Sequence, residues 1–276
     1  MASKGETMKK PIAFYSAALL LGLPGAAVAR VLHSFHCWQG CPVGVSESND
    51  VVVREIYTLS SNPITKLADW VAYRVTPDSI GPSPSRDWMA DPWLRPDETL
   101  APADYTDSNK QLRVDRGHQA PLSSFAGTPF GTDTNYLSNI TPQASALNQG
   151  SWVRLEDAER NLAKRLNTAV YVVTGPLFER PMRPLPKGPL LHRVPSGYWK
   201  VVVLADGRAS GFLFDQNTAR NEDFCTKRVE LTDIVLRARL QLFPRLAALP
   251  TARLDDDLGC KGPMPPVPPP SEIAAP

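Results

Sequence analysis

The sequence has no long apolar segment, only four cysteines and four histidines, and no excess of charge of either sign. Its N-terminal apolar run, Ile12 to Leu23, is shorter than the roughly 20 residues that a membrane-spanning helix needs. With 30 Lys and Arg against 28 Asp and Glu, the chain also lacks a general basic field. Any hold on a polyanion must therefore come from basic side chains clustered on one face.

Residues 1–29 have the pattern of a secretory signal peptide. Lys9 and Lys10 precede the apolar run, and Ala27-Val28-Ala29 supplies a small-x-small cleavage pattern. We expect cleavage before Arg30 and a mature protein that is secreted, to the periplasm or the medium, and held by no membrane; an uncleaved anchor is the alternative. Cleavage would remove three Lys and one Glu, which leaves 30 − 3 = 27 basic and 28 − 1 = 27 acidic residues.

The remaining chain has an ordinary globular composition, with 42% hydrophobic and 21% charged residues overall. Residues 30–262 are expected to form one domain with a sizeable core. Residues 263–276 are half proline, which predicts an extended, disordered tail outside that core. No internal repeat is visible.

The even number of cysteines in a chain with an export signal predicts two disulfide bonds. The local pairing joins Cys37 to Cys41 and Cys225 to Cys260. The alternative for the first pair is a zinc site that also uses the nearby His33 and His36, but export favours oxidation and the spacing is not that of a standard zinc finger. Both histidines are otherwise expected to be surface loop residues.

Extended segments alternate with helices along the chain. Strands are predicted at 51–59, at 169–174, where Gly175-Pro176 closes the run, and at 198–204 and 211–214, which flank a hairpin turn at Asp206-Gly207. Residues 65–75 are ambiguous, and 77–102 should form a long irregular connection. Helices are predicted from about Ser151 to Leu166, with Ser151 as the N-cap, and between Thr232 and Leu240.

The compact motif Asp115-Arg116-Gly117-His118 carries the clearest chemistry. His118 is the candidate general base, because imidazole titrates close enough to neutral pH to accept a proton from water. Arg116 offers a planar fork for two phosphate oxygens, and Gly117 permits close approach of the backbone. We expect Asp115 to orient a neighbouring group, although it could also bind a metal. A hydrogen-bonded structural histidine is the alternative for His118.

A second set of polar residues lies at the start of the predicted helix. Asn148 is a neutral oxygen ligand, and Glu156 is close enough in sequence to hold water of a bound Mg²⁺, an ion that needs few protein ligands. At 100° per residue, Glu156 and Arg160 share one flank of the helix beside its apolar stripe, so both can face a cleft. The alternatives are a helix cap and a surface ion pair.

Four ordered blocks of the sequence resemble the DNA/RNA non-specific endonucleases, the Serratia-type secreted nucleases of the ββα-metal superfamily. The blocks are Val114 to Leu122, Asn135 to Gln143, Leu147 to Arg160 without Ser151, and Tyr171 to Pro176. The resemblance covers most of residues 35–260. It departs from the family pattern only modestly, at Ser123-Ser124-Phe125 and in the C-terminal prolines.

The resemblance implies an α+β fold, in which helices cover both sides of a central, largely antiparallel sheet and the site lies between a β-hairpin and a helix. It places the general base at His118 and the one protein ligand of Mg²⁺ at Asn148, with Glu156 organising the water shell of the ion; Mn²⁺ is a substitute for Mg²⁺. Phosphate contacts fall on Arg116, Arg160 and Arg86. Asn139 falls on a position that helps to hold substrate and site geometry.

The reaction that this resemblance implies is hydrolysis of phosphodiester bonds in DNA and RNA, with 5′-phosphate products and little sequence preference, because the contacts address phosphates. Dimers occur in that family, so a homodimer is one expectation, although the sequence identifies no interface. Two other classes compete with this interpretation. One is a catalytically silent nucleic-acid-binding protein on the same fold, and the other is a disulfide-stapled secreted adhesin or inhibitor.

Overall fold

A computed structural model describes residues 1–2 and 31–267, and in that part of the chain nine strands and four α-helices are present. The strands are β1 Asp50–Val53, β2 Tyr57–Asn62, β3 Leu67–Val75, β4 Val114–His118, β5 Ile140–Ala144, β6 Val170–Leu177, β7 Gly197–Leu204, β8 Ala209–Asp215 and β9 Arg228–Val229. The helices are α1 Ser108–Leu112, α2 Ser145–Leu147, α3 Val153–Leu166 and α4 Leu231–Ala238. The predicted signal peptide beyond residue 2 and the tail from 268 lie outside the described residues.

Seven strands form one sheet in the order β1-β2-β3-β6-β7-β8-β9, and every neighbouring pair is antiparallel. The hairpin predicted around Asp206-Gly207 is confirmed as β7 and β8. The ambiguous segment 65–75 is a strand, β3. The β6 strand runs through Gly175 and Pro176 to Leu177, three residues past its predicted end. Gly175 fits against the backbone of Asp69, where a side chain would meet the Asp69 carbonyl.

The single strand predicted over 51–59 is wrong, because the chain turns back at Arg54. The Arg54 amide donates to the Tyr57 carbonyl at 2.9 Å, and β1 and β2 pair as a hairpin. The Arg54 side chain is buried in an ion pair with Asp91, 2.5 Å away. A partner 37 residues along the chain therefore determines the turn, and local pattern does not reveal it.

Each face of the sheet is covered by a helix. On one face Leu155 and Leu162 of α3 join Val71, Val172 and Phe212 in the larger core cluster. On the other face Ile234 of α4 packs with residues at the alternating positions of the same strands, including Trp70, Val173 and Val201. The expected α+β arrangement, an antiparallel sheet with helices on both sides, is confirmed.

The β4 and β5 strands form a separate antiparallel pair, in which Asp115 faces Gln143 and His118 faces Ile140. The chain leaves β5 directly into α2, passes through one wide helical turn at Asn148–Trp152, and continues as α3. Gly150 interrupts the helical geometry of that turn, with φ −120° and ψ −115°, and a Cβ there would lie 2.5 Å from the Arg220 carbonyl oxygen.

The predicted N-cap at Ser151 is therefore wrong. The helical path begins before this residue, at Ser145, and the buried Ser151 hydroxyl donates to the Glu222 carbonyl instead. The end of α3 at Leu166 is as predicted, and α4 falls within one or two residues of the predicted 232–240 helix. A tertiary contact has replaced the local capping bond.

Two disulfide bonds, Cys37–Cys41 and Cys225–Cys260, confirm the predicted pairing and leave no thiolates for a zinc site. His33 is exposed as expected, but His36 is only 1% exposed and its ring Nδ1 is 2.9 Å from the Thr58 hydroxyl oxygen. Burial lowers the pKa of His36 to about 4. Within the described residues, no helix is long and apolar enough to cross a membrane.

Candidate active site

One open cleft of about 840 Å³ brings together residues from four separate parts of the chain. Its walls are β4, α1, the first turns of the α2–α3 path and the long irregular connection before α1. Seven of the eight side chains that the sequence singled out for the chemistry line it: Arg86, Asp115, Arg116, His118, Asn148, Glu156 and Arg160. The remaining one, Asn139, does not.

His118 sits at the end of β4 with its Nε2 3.0 Å from the Asn135 amide oxygen. That oxygen can only accept, so Nε2 carries the proton and Nδ1 is left as the basic nitrogen of the ring. The Trp88 ring lies 5.2 Å from the imidazole, centroid to centroid. Burial lowers the pKa of His118 to about 4, the Asn135 bond opposes that change, and the Arg86 charge adds to it. The imidazole is therefore neutral, and able to accept a proton, at neutral pH.

Asn135 is a functional residue that sequence reasoning missed. It lies inside one of the four sequence blocks, but nothing in its spacing pointed to His118. Asn135 is fully buried, and its backbone carbonyl accepts from the Met89 amide. The irregular connection that carries Trp88 is thus hydrogen-bonded to the backbone of Asn135. This contact holds in place the Asn135 side chain, which fixes the tautomer of His118.

Asp115 orients Asn148, as the sequence predicts. The Asn148 amide nitrogen donates to Asp115 Oδ2 at 3.1 Å, and Gln149 donates to the same oxygen at 2.7 Å. Oδ1 accepts from Ser145 and Asn109 at 2.6 and 2.7 Å. These four bonds oppose the effect of partial burial, and the pKa of Asp115 is lowered. No described residue donates to the Asn148 amide oxygen, which remains a free acceptor in the cleft wall.

Glu156 enters the cleft from the first turn of α3 and is only 7% exposed. Burial raises its pKa to about 7; the nearby Lys200 is the strongest opposing influence, and Glu159 adds to the increase. The predicted placement of Glu156 and Arg160 on one flank of the helix is confirmed, because both line the cleft while Leu155 and Leu162 face the core.

Two guanidinium groups of the cleft, those of Arg160 and Arg116, are each fixed by neighbours. Arg160 is 8% exposed, and its Nη2 donates to Asp157 at 2.6 Å while Nη1 donates to Ser124 Oγ at 3.3 Å. Arg116 donates to the Pro102 carbonyl at 2.8 Å, and its guanidinium carbon lies 5.2 Å from the Tyr105 ring centroid. Both forks are thus held before any anion arrives, which lowers the entropy lost on binding.

Arg86 is exposed and lies in the irregular connection, but that connection is anchored to the core. Asp91, which is buried, accepts hydrogen bonds from Arg54 and Ser138, each at 2.5 Å. The Met89 carbonyl accepts from the Leu137 amide at 2.9 Å. An irregular segment therefore brings Arg86 to the cleft as predicted, through contacts that its composition does not reveal.

Asn139, expected to help hold substrate and site geometry, is placed to support the site geometry alone. It is fully buried, its amide oxygen accepts from the Ala120 amide at 2.9 Å, and its amide nitrogen donates to the Ala120 and Thr134 carbonyls, also at 2.9 Å. Substrate cannot reach this side chain. Asn139 instead holds the backbone on either side of the His118 and Asn135 pair.

The donors around the cleft fit a hard cation that keeps most of its water. Asn148 presents one neutral oxygen, Glu156 one carboxylate, and the cleft is open. The described residues contain no group of three His, Cys, Asp or Glu side chains that could hold a metal, as a closed zinc or iron site would require. Mg²⁺ usually takes one or two protein oxygens, and substrate phosphate and water complete its shell.

Comparisons with known proteins agree with this geometry. The family model for DNA/RNA non-specific endonucleases matches residues 39–248, well over half of the chain. The chain belongs to this family. It is therefore an enzyme that hydrolyses nucleic acids, and the family consists of metal-dependent nucleases.

Individual relatives extend the comparison. The chain is 50% identical over 236 residues to a protein named "Nuclease" from Serratia marcescens, an alignment that covers 83% of this chain and 88% of the relative. It is 30% identical to nuclease C1 of Cunninghamella echinulata var. echinulata, covering 72% of this chain and 84% of the relative. A chain from a crystal structure of the EndoG/EndoGI complex shares the fold, with a TM-score of 0.60 at 24% identity, over 71% of this chain and 86% of that one.

Proposed function

We propose that this endonuclease uses Mg²⁺ and the imidazole of His118 to hydrolyse phosphodiester bonds of both DNA and RNA, leaving 5′-phosphate ends. The observation that carries the proposal is the shared cleft. A neutral imidazole with a free Nδ1, an amide oxygen on Asn148, and three guanidinium groups line one cavity. Proton transfer, ion binding and phosphate binding are the functions that this reaction needs.

In this mechanism His118 Nδ1 takes a proton from the attacking water as its oxygen closes on phosphorus. Asn135 keeps the other ring nitrogen protonated and fixes the plane of the imidazole. Since the pKa of His118 is lowered to about 4, the ring is ready to accept the proton at neutral pH but returns it easily to solvent. The 3′ oxygen leaves on the opposite side of the phosphorus.

Arg116 and Arg160 bind the non-bridging phosphate oxygens and stabilise the charge that increases on them during attack. Arg86, which is exposed at the rim, adds a third positive charge to the entering strand. Asn148 and Glu156 would hold the ion, Asn148 through its amide oxygen and Glu156 through the surrounding water. When bound there, the ion would supply positive charge that stabilises the charge developing in the transition state.

The same arrangement supports tolerance of both sugars. The proposed contacts address phosphates, which DNA and RNA share, and the mechanism makes no use of the 2′-hydroxyl group. We expect little sequence preference and a cleavage rate that falls as salt weakens phosphate binding. The two disulfide bonds favour action outside the reducing cytoplasm, which supports secretion and removal of residues 1–29.

The test is digestion of supercoiled DNA and structured RNA by the mature protein, with Mg²⁺ and with a chelator. Cleavage of both substrates that stops on chelation and returns with Mg²⁺ is expected. The ends should accept ligation to a 3′-hydroxyl without prior phosphorylation. Cleavage that persists in the chelator, or that is confined to RNA, would contradict the proposal.

A further inference from the structure

Lys200 is a fully buried cation that the mechanism above does not use. It lies on β7 and points into the core between the sheet and α3, where its side chain is 0% exposed. Its Nζ lies 4.1 Å from the centroid of the Trp152 ring. Lysine is almost never fully buried unless it is paired, so its partners identify its role.

The first partners are two residues of the core. Lys200 Nζ lies 3.1 Å from Glu159 Oε1 and donates to the Tyr73 hydroxyl oxygen at 3.3 Å. That hydroxyl donates in turn to Glu159 Oε2 at 2.9 Å. Glu159 is also 0% exposed. The ammonium group is thus held in one place by a carboxylate and a phenol that never reach the cleft.

The third partner is the cleft carboxylate. Lys200 Nζ lies 3.9 Å from Glu156 Oε1, and Glu156 and Glu159 are three residues apart on the same side of α3. Lys200 and Glu159 would form a neutral pair without Glu156. With it, two buried carboxylates share one ammonium group, and only one of the two lines the cleft.

We propose that Lys200 is a positioning residue for the nuclease reaction, which acts from beneath the cleft to hold the Glu156 carboxylate in place. The inference rests on the function proposed above. Glu159 and Tyr73 set the position of the ammonium group, and the ammonium group sets the direction of the Glu156 carboxylate.

The charged groups around Glu156 support this role of Lys200. Besides Lys200 from β7, the groups that face it are Glu159, Arg160 and Asp157 from α3 itself. Arg160 is already paired with Asp157 at 2.6 Å and borders the phosphate site. Lys200 is thus the remaining cation beside the Glu156 carboxylate, with its Nζ 3.9 Å from Oε1.

The test compares four variants with wild type by kcat and KM. Lys200→Met keeps the length of the side chain but removes its charge. Loss of a partner that orients the groups around a metal site costs about 10–100-fold in activity. We therefore expect kcat to fall about 10–100-fold and KM to stay within about twofold, because the phosphate-binding guanidinium groups are unchanged. The Lys164→Met variant, which removes an exposed charge from α3, should match wild type.

Two further variants separate positioning from folding. Lys200→Met combined with Glu159→Gln removes the buried pair together, so no charge is left unmatched in the core. It should unfold near the wild-type temperature and still show the low kcat with little change in KM. Glu159→Gln alone keeps Lys200 beside Glu156, so its kcat should stay well above that of the double variant.

A folded double variant with wild-type kcat would overturn the inference, as would a Glu159→Gln variant whose kcat falls as far as that of the double variant. Both outcomes leave the nuclease assignment intact, because wild type still cleaves. A folded wild type that cleaves neither DNA nor RNA in Mg²⁺ would overturn the proposed function and this inference with it.

Discussion

The acid side of the pH profile should report Glu156 and not the general base. Burial raises the pKa of Glu156 to about 7, and lowers that of His118 to about 4. A carboxylic acid is neutral below its pKa, so Glu156 gains the charge it needs as pH rises through 7. His118 is already neutral, and able to accept a proton, throughout that range.

The size of the effect follows from the two pKa values. At pH 6 roughly 9% of Glu156 is ionised and at pH 8 roughly 91%, whereas His118 is about 99% neutral at pH 6. Since kcat/KM reports the free enzyme, it should rise about tenfold between pH 6 and pH 8 at fixed ionic strength, with Mg²⁺ held well below saturation so that the metal-free enzyme is the form that titrates.

The assay is initial-rate digestion of DNA by wild type and by Glu156→Gln, a neutral variant of the same shape. We expect the variant to be slower at every pH and its profile to be flat from pH 6 to pH 8. A tenfold rise that persists in Glu156→Gln would refute the reasoning, because another group would then be titrating. A wild-type profile that is flat over this range would refute it as well.

Three more sets of substitutions test the residues that hold the site and the fold in place. Asp115→Ala frees the Asn148 amide, so the Mg²⁺ concentration for half-maximal activity should rise about 10–100-fold, as titration of activity with Mg²⁺ would show; an unchanged value would contradict this role. Asn135→Ala removes the bond that fixes the His118 tautomer, so kcat should fall more than tenfold with little change in KM, and equal losses in both would indicate a folding defect. Replacing both Cys225 and Cys260 with Ser opens a loop with a sequence separation of 35 and should lower the free energy of unfolding by about 4 kcal/mol, measured by denaturant titration; a loss below about 1 kcal/mol would refute that entropic argument.

The sequence predicted the side chains that carry out the reaction better than the residues that hold those side chains in place. Helical spacing alone placed Glu156 and Arg160 on one flank of α3, and both line the cleft. The spacing rule works there because the intervening geometry is a regular helix. It says nothing about Asn135, whose bond to His118 spans 17 residues and two short helical turns.

The errors of sequence interpretation also have tertiary causes. The strand predicted over 51–59 divides at Arg54 because Asp91, far along the chain, holds that side chain in the core. Ser151 has the residue type of an N-cap, but its hydroxyl contacts Glu222. Lys200 could not be singled out within a β-branched strand, because its two acidic partners come from a helix that precedes it by some 40 residues.

The measurement that tests the central claim most directly is cleavage of supercoiled DNA and structured RNA by wild type and by His118→Ala in Mg²⁺. A general base contributes roughly 10²–10⁴-fold to rate, so the variant should lose that much kcat on both substrates. Its thermal unfolding should be preserved, and it should still bind substrate, since Arg116 and Arg160 are untouched. A folded His118→Ala variant that cleaves either substrate at close to the wild-type rate would contradict the account.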